Sequence, residues 1–352
     1  MVNEERARAA EAKLGGLGMK AQVEWLRRLG RAALRGYGLE SARMGLLNHG
    51  ENATFRVERG GERWVLRIHR EGYQTEATIR SELAWLAALA RDEAEALTVP
   101  APVVDGQGQT LRRVQEGDGG LARFCVLFRW VDGKFSFKRR GLGRWRGVGR
   151  ALGALHRHAT AWERPPWFER QRWDVEGLMG LERPLWGSPE GPLAAMGEQR
   201  AALADLVTRG REVAQARLLA LPTEGHIGLI HADLHAGNVL FEGSRANVID
   251  FDDCGWGYWV HDLVIAVGAR RWRPGFERVM ESVLAGYAEE HTVSSLELRL
   301  LEPLLTARFI CGLSWILDRA ATNPRLHAYI ERACAQAQDG LSAYLGWEEG
   351  RA

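Results

Sequence analysis

Lysine is almost missing from this chain: only Lys13, Lys20, Lys134 and Lys138 stand among its 47 lysines and arginines. The skew touches nearly every basic position rather than one patch, so it reads as coding bias. A surplus of either charge is missing as well, with 47 basic against 45 acidic side chains. No field of one sign is available to hold DNA or RNA, and no nucleic-acid partner is expected. Cysteine is sparse. Cys125, Cys254, Cys311 and Cys334 form neither a Cys-x-x-Cys pair nor a Cys/His metal spacing, which leaves them as small core residues of a reducing compartment. The charged start MVNEERARAAEAKLGG has no apolar signal-peptide core, and no run of eighteen apolar residues occurs. A cytoplasmic protein without a membrane partner is expected. Internal repeats and low-complexity tracts are absent too.

What is present changes period along the chain. Residues 1–16 suggest a frayed helix or disordered lead-in, and Val23, Leu26, Leu29, Ala33 and Leu34 then follow a helical period from Met19 to about Leu34. Short alternating segments at 43–47, 54–59 and 63–69 read as strands. Gly60-Gly61 between the last two is a hairpin signal. A helix is expected over 75–90, with Ile79, Leu83, Leu86 and Leu89 on one face, followed by strands near Val103 and over 121–128. After Val131-Asp132-Gly133 helical patterns dominate, at 142–158, at 198–221 and from His261 onward. They are interrupted by strand, loop, strand, turn and strand over 227–251. The fold class is therefore α+β, a small antiparallel sheet with one helix followed by a larger and mostly helical part. The boundaries expected are a helical extension 1–38, a first lobe 39–128, a hinge 129–133 and a second lobe 134–352 with an insertion at about 160–222.

The segment His231-Ala232-Asp233-Leu234-His235-Ala236-Gly237-Asn238 carries the densest chemistry. Phosphoryl transfer asks for a metal on the triphosphate, a carboxylate that orients the incoming hydroxyl, and a cation on the phosphates. Asp233 is placed to take the acceptor proton, and Asn238, across a turn bearing Gly237, can offer its carbonyl oxygen to Mg2+. Asp250 lies twelve residues further on at a strand end, where a short hairpin can return its carboxylate. An amide and one carboxylate beside ATP suit the oxygen-rich, partly hydrated shell of Mg2+. Taken alone, a polar loop of this kind is more often a solvated turn. His231 reads as a residue that hydrogen-bonds the loop backbone, whereas His235 either does the same or faces substrate. Asp252 reads as solvated or capping, with a further metal contact as the alternative.

The runs LIHADLHAGNVL and VIDFDDCGWGYWVHDL closely resemble the catalytic and metal-binding motifs of the phosphotransferase family that includes aminoglycoside phosphotransferases, choline kinases and homoserine-kinase-like enzymes. That resemblance implies a bilobal protein-kinase-like fold, Asp233 as catalytic base, Asn238 and Asp250 as metal ligands, and Asp262 as the buttress of the loop. LNxxENxxxxV, from Leu47 to Val57, and WVLRIHREGY resemble the branch containing a bacterial stress-response Ser/Thr kinase, as does the late run FICGLSWILDR. By this likeness Asn48, Gly50 and Asn52 belong to a lid over the nucleotide. Arg67 occupies the position of the usual kinase lysine and takes the phosphate role, with Glu82 as its ion-pair partner and Glu76 as the rival. Backbone groups between Arg129 and Val131 are placed to meet the adenine edge.

ATP and Mg2+ are thus the expected cofactors. The acceptor is open between a small hydroxyl compound, such as an amino alcohol, an amino acid or a sugar-like metabolite, and a serine or threonine on a protein. A nucleotide-binding scaffold without activity is the third reading, and the complete set Asp233, Asn238 and Asp250 speaks against it. Oligomeric state is not legible. The tryptophans between Trp162 and Trp186 either line a pocket for a cationic acceptor or pin the segment to the domain.

Overall fold

The computed structural model describes residues 15–115, 121–135, 141–221, 224–268, 270–271, 273–322 and 326–350. Most of the expected lead-in at 1–16 lies outside this set. The chain groups into two compact units. The first comprises Met1–Lys134 with Glu163–Arg170 and Asn247–Asp252, and the second comprises Phe135–Trp162, Gln171–Ala246 and Asp253–Ala352. Two short segments assigned from sequence to the second lobe therefore join the first unit.

In the first unit, helix α1 (Met19–Leu34) precedes strands β1 (Arg43–His49), β2 (Ala53–Arg59) and β3 (Glu62–Ile68). Helix α2 (Glu76–Asp92) and strands β4 (Arg112–Gln115) and β5 (Ala122–Arg129) follow. The five strands form one antiparallel sheet in the order β1-β2-β3-β5-β4. Gly60 and Gly61 take φ of 59° and 87°, the positive values that a two-residue hairpin turn requires and that glycine adopts without a steric penalty. Alternation along β3 sends Trp64, Leu66 and Ile68 into a core shared with Leu26, Leu29, Ala33 and Leu34 of α1, and it turns Arg67 to the opposite face. Helix α2 starts where Thr75 and Thr78 close a reciprocal capping box. The strand expected near Val103 is reduced to a single bridge between Pro102 and Phe128, because Pro100 and Pro102 leave too few donors for a ladder.

The second unit is mostly helical. Its elements are α3 (Leu142–Ala161), β6 (Arg172–Trp173), α4 (Val175–Met179), α5 (Glu190–Ala194), α6 (Glu198–Leu219), β7 (Ile227–Ile230), β8 (Val239–Glu242) and β9 (Arg245–Val248). Then come β10 (Gly255–Tyr258), α7 (Trp259–Gly268), α8 (Phe276–Tyr287), α9 (Ser295–Leu298), α10 (Leu301–Thr322) and α11 (His327–Glu349). A three-stranded sheet in the order β6-β10-β7 carries the segment that leads into His231. Neither β6 nor β10 was expected. Both are short and rich in glycine or tryptophan, and they give no alternating signal. The third strand of the 227–251 series ends at Val248 rather than Phe251, so Asp250 sits two residues beyond it. All four cysteines are buried and unbridged. No helix among the described residues is long and apolar enough to cross a membrane.

Helices α3 and α8 approach closely through glycine. A Cβ on Gly149 would lie 1.9 Å from the Val283 carbonyl oxygen, and one on Gly286 would lie 1.9 Å from that of Arg146. Gly143, on the same helix α3, faces open space. Gly149→Ala is therefore expected to lower unfolding stability by about 1–3 kcal/mol through overpacking, whereas Gly143→Ala should raise it by about 0.5–1 kcal/mol. Urea titration of both variants checks this, and equal shifts would contradict the close approach.

Candidate active site

In the first unit, Arg67 on β3 is buried and its Nη2 meets Glu82 Oε2 of α2 at 2.5 Å. Its Nη1 lies 3.7 Å from Asp250 Oδ1 and 3.9 Å from Asp252 Oδ1, and its guanidinium carbon stands 4.9 Å from the centre of the Phe128 ring. Burial opposes the arginine charge, but the carboxylates of Glu82, Asp252 and Asp250 outweigh it and raise the Arg67 pKa above its ordinary value. Arg67 therefore keeps its charge, while burial, opposed by Arg67, raises the Glu82 carboxyl above its ordinary value. Glu76, the rival partner, binds Arg80 on its own helix instead.

Asp252 is buried rather than solvated. Its Oδ2 accepts a 2.6 Å hydrogen bond from Asn52 Nδ2, and its carbonyl oxygen accepts from Gln74 and Arg170. Burial pushes its carboxyl up, yet Arg67, His69 and Arg170, together with the Asn52 bond, hold it below the ordinary carboxylate value. Asn52 also accepts from the Arg70 N–H at 3.2 Å, so the structure ties this residue of the expected lid to the Asp-Phe-Asp segment. Asn48 and Gly50 remain exposed, with the Gly50 N–H bonded to the Asn52 carbonyl at 3.1 Å. Asp250 keeps half of its side chain exposed and has a positive φ of 66°. Such backbone strain costs of order 1–3 kcal/mol and collects at functional positions. The Arg129 N–H is taken by the Ala101 carbonyl at 2.8 Å, so it is not available to a base. Val131 is buried and makes no backbone hydrogen bond among the described residues.

In the second unit, the loop between β7 and β8 is held by Asp262, in the first turn of α7 and fully buried. Its Oδ2 accepts from the His231 N–H at 2.8 Å and its Oδ1 from the Ala232 N–H at 2.7 Å. Ala232 has a positive φ of 65°, a conformation that a residue with a Cβ does not choose unaided. His156 of α3 adds a third contact, Nε2 to Asp262 Oδ2 at 3.0 Å. Since a carboxylate only accepts, Nε2 carries the proton. Its Nδ1 lies 2.7 Å from the Tyr287 hydroxyl, within hydrogen-bond reach. Burial raises the Asp262 carboxyl, and the His156 hydrogen bond and charge with the His231 contacts bring it below its ordinary value.

Within the loop, the Asp233 N–H donates to His231 Nδ1 at 3.2 Å and the Gly237 N–H to His235 Nδ1 at 2.9 Å. Both histidines thus bond the loop backbone, and His235 Nε2 also stands 3.6 Å from Asp233 Oδ2. Asn238 Nδ2 donates to the Asp233 carbonyl at 2.9 Å and to Asp233 Oδ2 at 3.1 Å. Its amide nitrogen is thereby fixed, and Oδ1 is the atom left for a cation. Asp233 Oδ1 accepts from Arg308 Nη2 of α10 at 3.0 Å. Neither Arg308 nor His156 was singled out in the sequence. The Trp-rich tract divides: Trp173 is buried and donates to the Asp253 carbonyl at 2.7 Å, while Trp167 is exposed.

The residues present fit Mg2+ as far as their donor chemistry goes. Among the described residues no group of three or more His, Cys, Asp or Glu side chains is disposed to hold a metal. The Asn238 amide oxygen in the second unit and the half-exposed Asp250 carboxylate in the first are each of the oxygen type that Mg2+ takes.

A sequence model described as the phosphotransferase enzyme family matches residues 45–297. Amicoumacin kinase of Bacillus subtilis (strain 168) is 25% identical over 291 residues, covering 80% of this chain and 81% of that protein. Stress response kinase A of Escherichia coli (strain K12) is 25% identical over 287 residues, covering 78% and 77%. Among solved structures, a microcompartment-associated aminopropanol kinase has a TM-score of 0.75 and 31% identity, covering 90% of this chain and 98% of that one. Amicoumacin kinase hAmiN, in complex with AMP-PNP, Ca2+ and Ami, has a TM-score of 0.68 at 19% identity, covering 88% and 92%.

Two buried histidines set an acid limit. Burial, with Arg308 nearby, lowers His261 to about 4, and burial with Arg67 lowers His69 to about 3. An unfolded chain protonates both near 6.5, so below that pH the unfolded state binds more protons than the folded one. Stability is complete above pH 6.5 and falls as the pH drops toward 4, by up to about 1.4 kcal/mol per pH unit for each histidine. Urea unfolding at pH 7.5, 6 and 5 measures the slope, and a flat profile would contradict it.

Proposed function

The chain belongs to the phosphotransferase enzyme family, and from that premise we propose that it moves the γ-phosphate of ATP, with Mg2+, to a hydroxyl of a small molecule. The observation that carries this reading is the Asp233 carboxylate, oriented by Asn238 and Arg308 on a loop that Asp262 clamps. Asp233 takes the proton from the acceptor hydroxyl. That oxygen forms a bond to the γ-phosphorus as the bond from phosphorus to the β,γ-bridging oxygen breaks, and ADP leaves with the electron pair. Asn238 and Asp250 are the metal ligands, and bound Mg2+ supplies neutralisation of the triphosphate.

Arg67, kept ionised by Glu82, binds the phosphates. A guanidinium can grip two phosphate oxygens where lysine offers a point charge. Residues 39–128 with Asn48, Gly50 and Asn52 form the nucleotide part, and the adenine edge meets backbone near Val131 rather than the Arg129 N–H. The range 160–222 supplies acceptor specificity, except that Glu163–Arg170 belongs to the first unit.

A small-molecule acceptor is supported by the aminopropanol kinase, at 31% identity. Serine/threonine protein kinase RdoA of Salmonella typhimurium, 26% identical over 274 residues, keeps a protein serine or threonine as the second reading. Release of ADP from Mg-ATP, followed over a panel of amino alcohols, hydroxy amino acids, sugar alcohols and dephosphorylated casein, separates them. Release dependent on a metabolite is expected. Labelling of casein with no response to any metabolite would overturn the proposal. Asp233→Asn should cut turnover by about 10²- to 10⁴-fold while leaving AMP-PNP affinity within about twofold, and undiminished turnover would remove Asp233 as the base.

A further inference from the structure

Arg308 lies on α10, 75 residues beyond Asp233 in sequence, and its Nη2 donates to Asp233 Oδ1 at 3.0 Å. On the other oxygen, Oδ2, sits Asn238 Nδ2 at 3.1 Å. The two donors therefore bracket the carboxylate from opposite sides. A carboxylate held on one oxygen alone turns freely about its Cβ–Cγ bond, whereas donors on both oxygens fix its plane. The direction of the remaining lone pairs is then fixed as well, and with it the line along which a hydroxyl can approach. The two donors differ in what they answer to. Asn238 is tethered within the same loop by its Nδ2 contact to the Asp233 carbonyl and its N–H contact to the His235 carbonyl, so it moves with the loop. Arg308 stands on a helix of 22 residues and is the donor that refers the carboxylate to a separate element.

The ion pair is also retained as one. Burial works against the Arg308 charge, but Asp233, with Asp253 nearby, outweighs it and raises the Arg308 pKa. A third of the side chain is still exposed, so the pair is not an inaccessible structural core contact. Arg308 directly precedes the run FICGLSWILDR, which begins at Phe309.

Resting on the reading of Asp233 as the base, we infer that Arg308 is a positioning residue for phosphoryl transfer: it holds the Asp233 carboxylate in the plane from which the acceptor hydroxyl is deprotonated. It acts through Asp233 and need not touch the substrate. Removing it should therefore lower kcat while leaving the KM for Mg-ATP alone, because nothing on the nucleotide is lost. Lysine, which keeps the charge and one donor, should recover part of the rate, and methionine, which keeps the bulk alone, should not.

The test compares Arg308→Met, Arg308→Lys, Asp233→Asn and the double variant Asp233→Asn/Arg308→Met, by ADP release from Mg-ATP with the acceptor panel and with water alone as acceptor. Arg308→Met should lower kcat by about 10- to 100-fold with the KM for Mg-ATP within about twofold, and Arg308→Lys should recover most of that loss. In the Asp233→Asn background the same Met change should cost less than about twofold, since the group it positions is already disabled. A full additional loss there would overturn the inference. Undiminished turnover in Asp233→Asn alone would instead overturn the base assignment, so the two failures are distinct. A crystal structure of Arg308→Met supplies a readout that needs no turnover: the Asp233 carboxylate should rotate or occupy more than one orientation. A carboxylate in its original plane would overturn the inference, and matching thermal unfolding midpoints separate positioning from loss of fold.

Discussion

The geometry of the loop from His231 to Asn238 depends on one buried carboxylate. Asp262 accepts the consecutive N–H groups of His231 and Ala232, one on each oxygen, and this is what makes a positive φ at an alanine tenable. A buried anion left unpaired would be costly, but here the backbone donors and His156 satisfy it. The Asp262 carboxylate in turn holds the His156 proton at Nε2, and the Tyr287 hydroxyl meets Nδ1 on the other side of the ring. Strain in the backbone, charge in the interior and the aim of the loop are therefore one arrangement. Loss of the carboxylate would leave two backbone donors orphaned and the strained residue unsupported.

A similar economy operates in the first unit, where Arg67 faces Glu82, Asp250 and Asp252. Alternation along β3 places Trp64, Leu66 and Ile68 in the core under α1 and turns Arg67 to the other face. The scarcity of lysine and the presence of arginine at this position fit together chemically. A planar guanidinium can satisfy Glu82 with one nitrogen and keep another near the two aspartates, which a single ammonium cannot do with the same geometry. Asn52 and Arg170 then bind Asp252 to the strand pair β1-β2 and to α2 respectively.

Local signals were the ones legible in the sequence. Helix α1 begins and ends where its apolar period does, Gly60-Gly61 makes the hairpin, and three strands, a helix and β5 stand in the first unit, while the other later strand is β4 at Arg112–Gln115 rather than one near Val103. The Arg67–Glu82 pair was legible because strand and helix follow one another directly. Arg308 and His156 were not, because their partners Asp233 and Asp262 lie 75 and 106 residues away in sequence. Strands β6 and β10 escaped for a different reason. Two residues of β6 and a Gly-Trp-Gly-Tyr run in β10 carry no period, and their pairing is set by neighbours distant in sequence. The burial of Asp252 also required the fold, since an aspartate next to another aspartate reads as solvated until its partners are known.

The central claim is that this chain handles ATP as its magnesium complex, with Asp250 as a ligand of the metal. Calorimetric titration with AMP-PNP, in the presence and absence of Mg2+, measures that directly in the natural protein and in Asp250→Asn. The account predicts that Mg2+ strengthens binding by about tenfold or more in the natural protein, a gain of about 1.4 kcal/mol, and that most of this gain disappears in the variant. An equal response to Mg2+ in both proteins would contradict it.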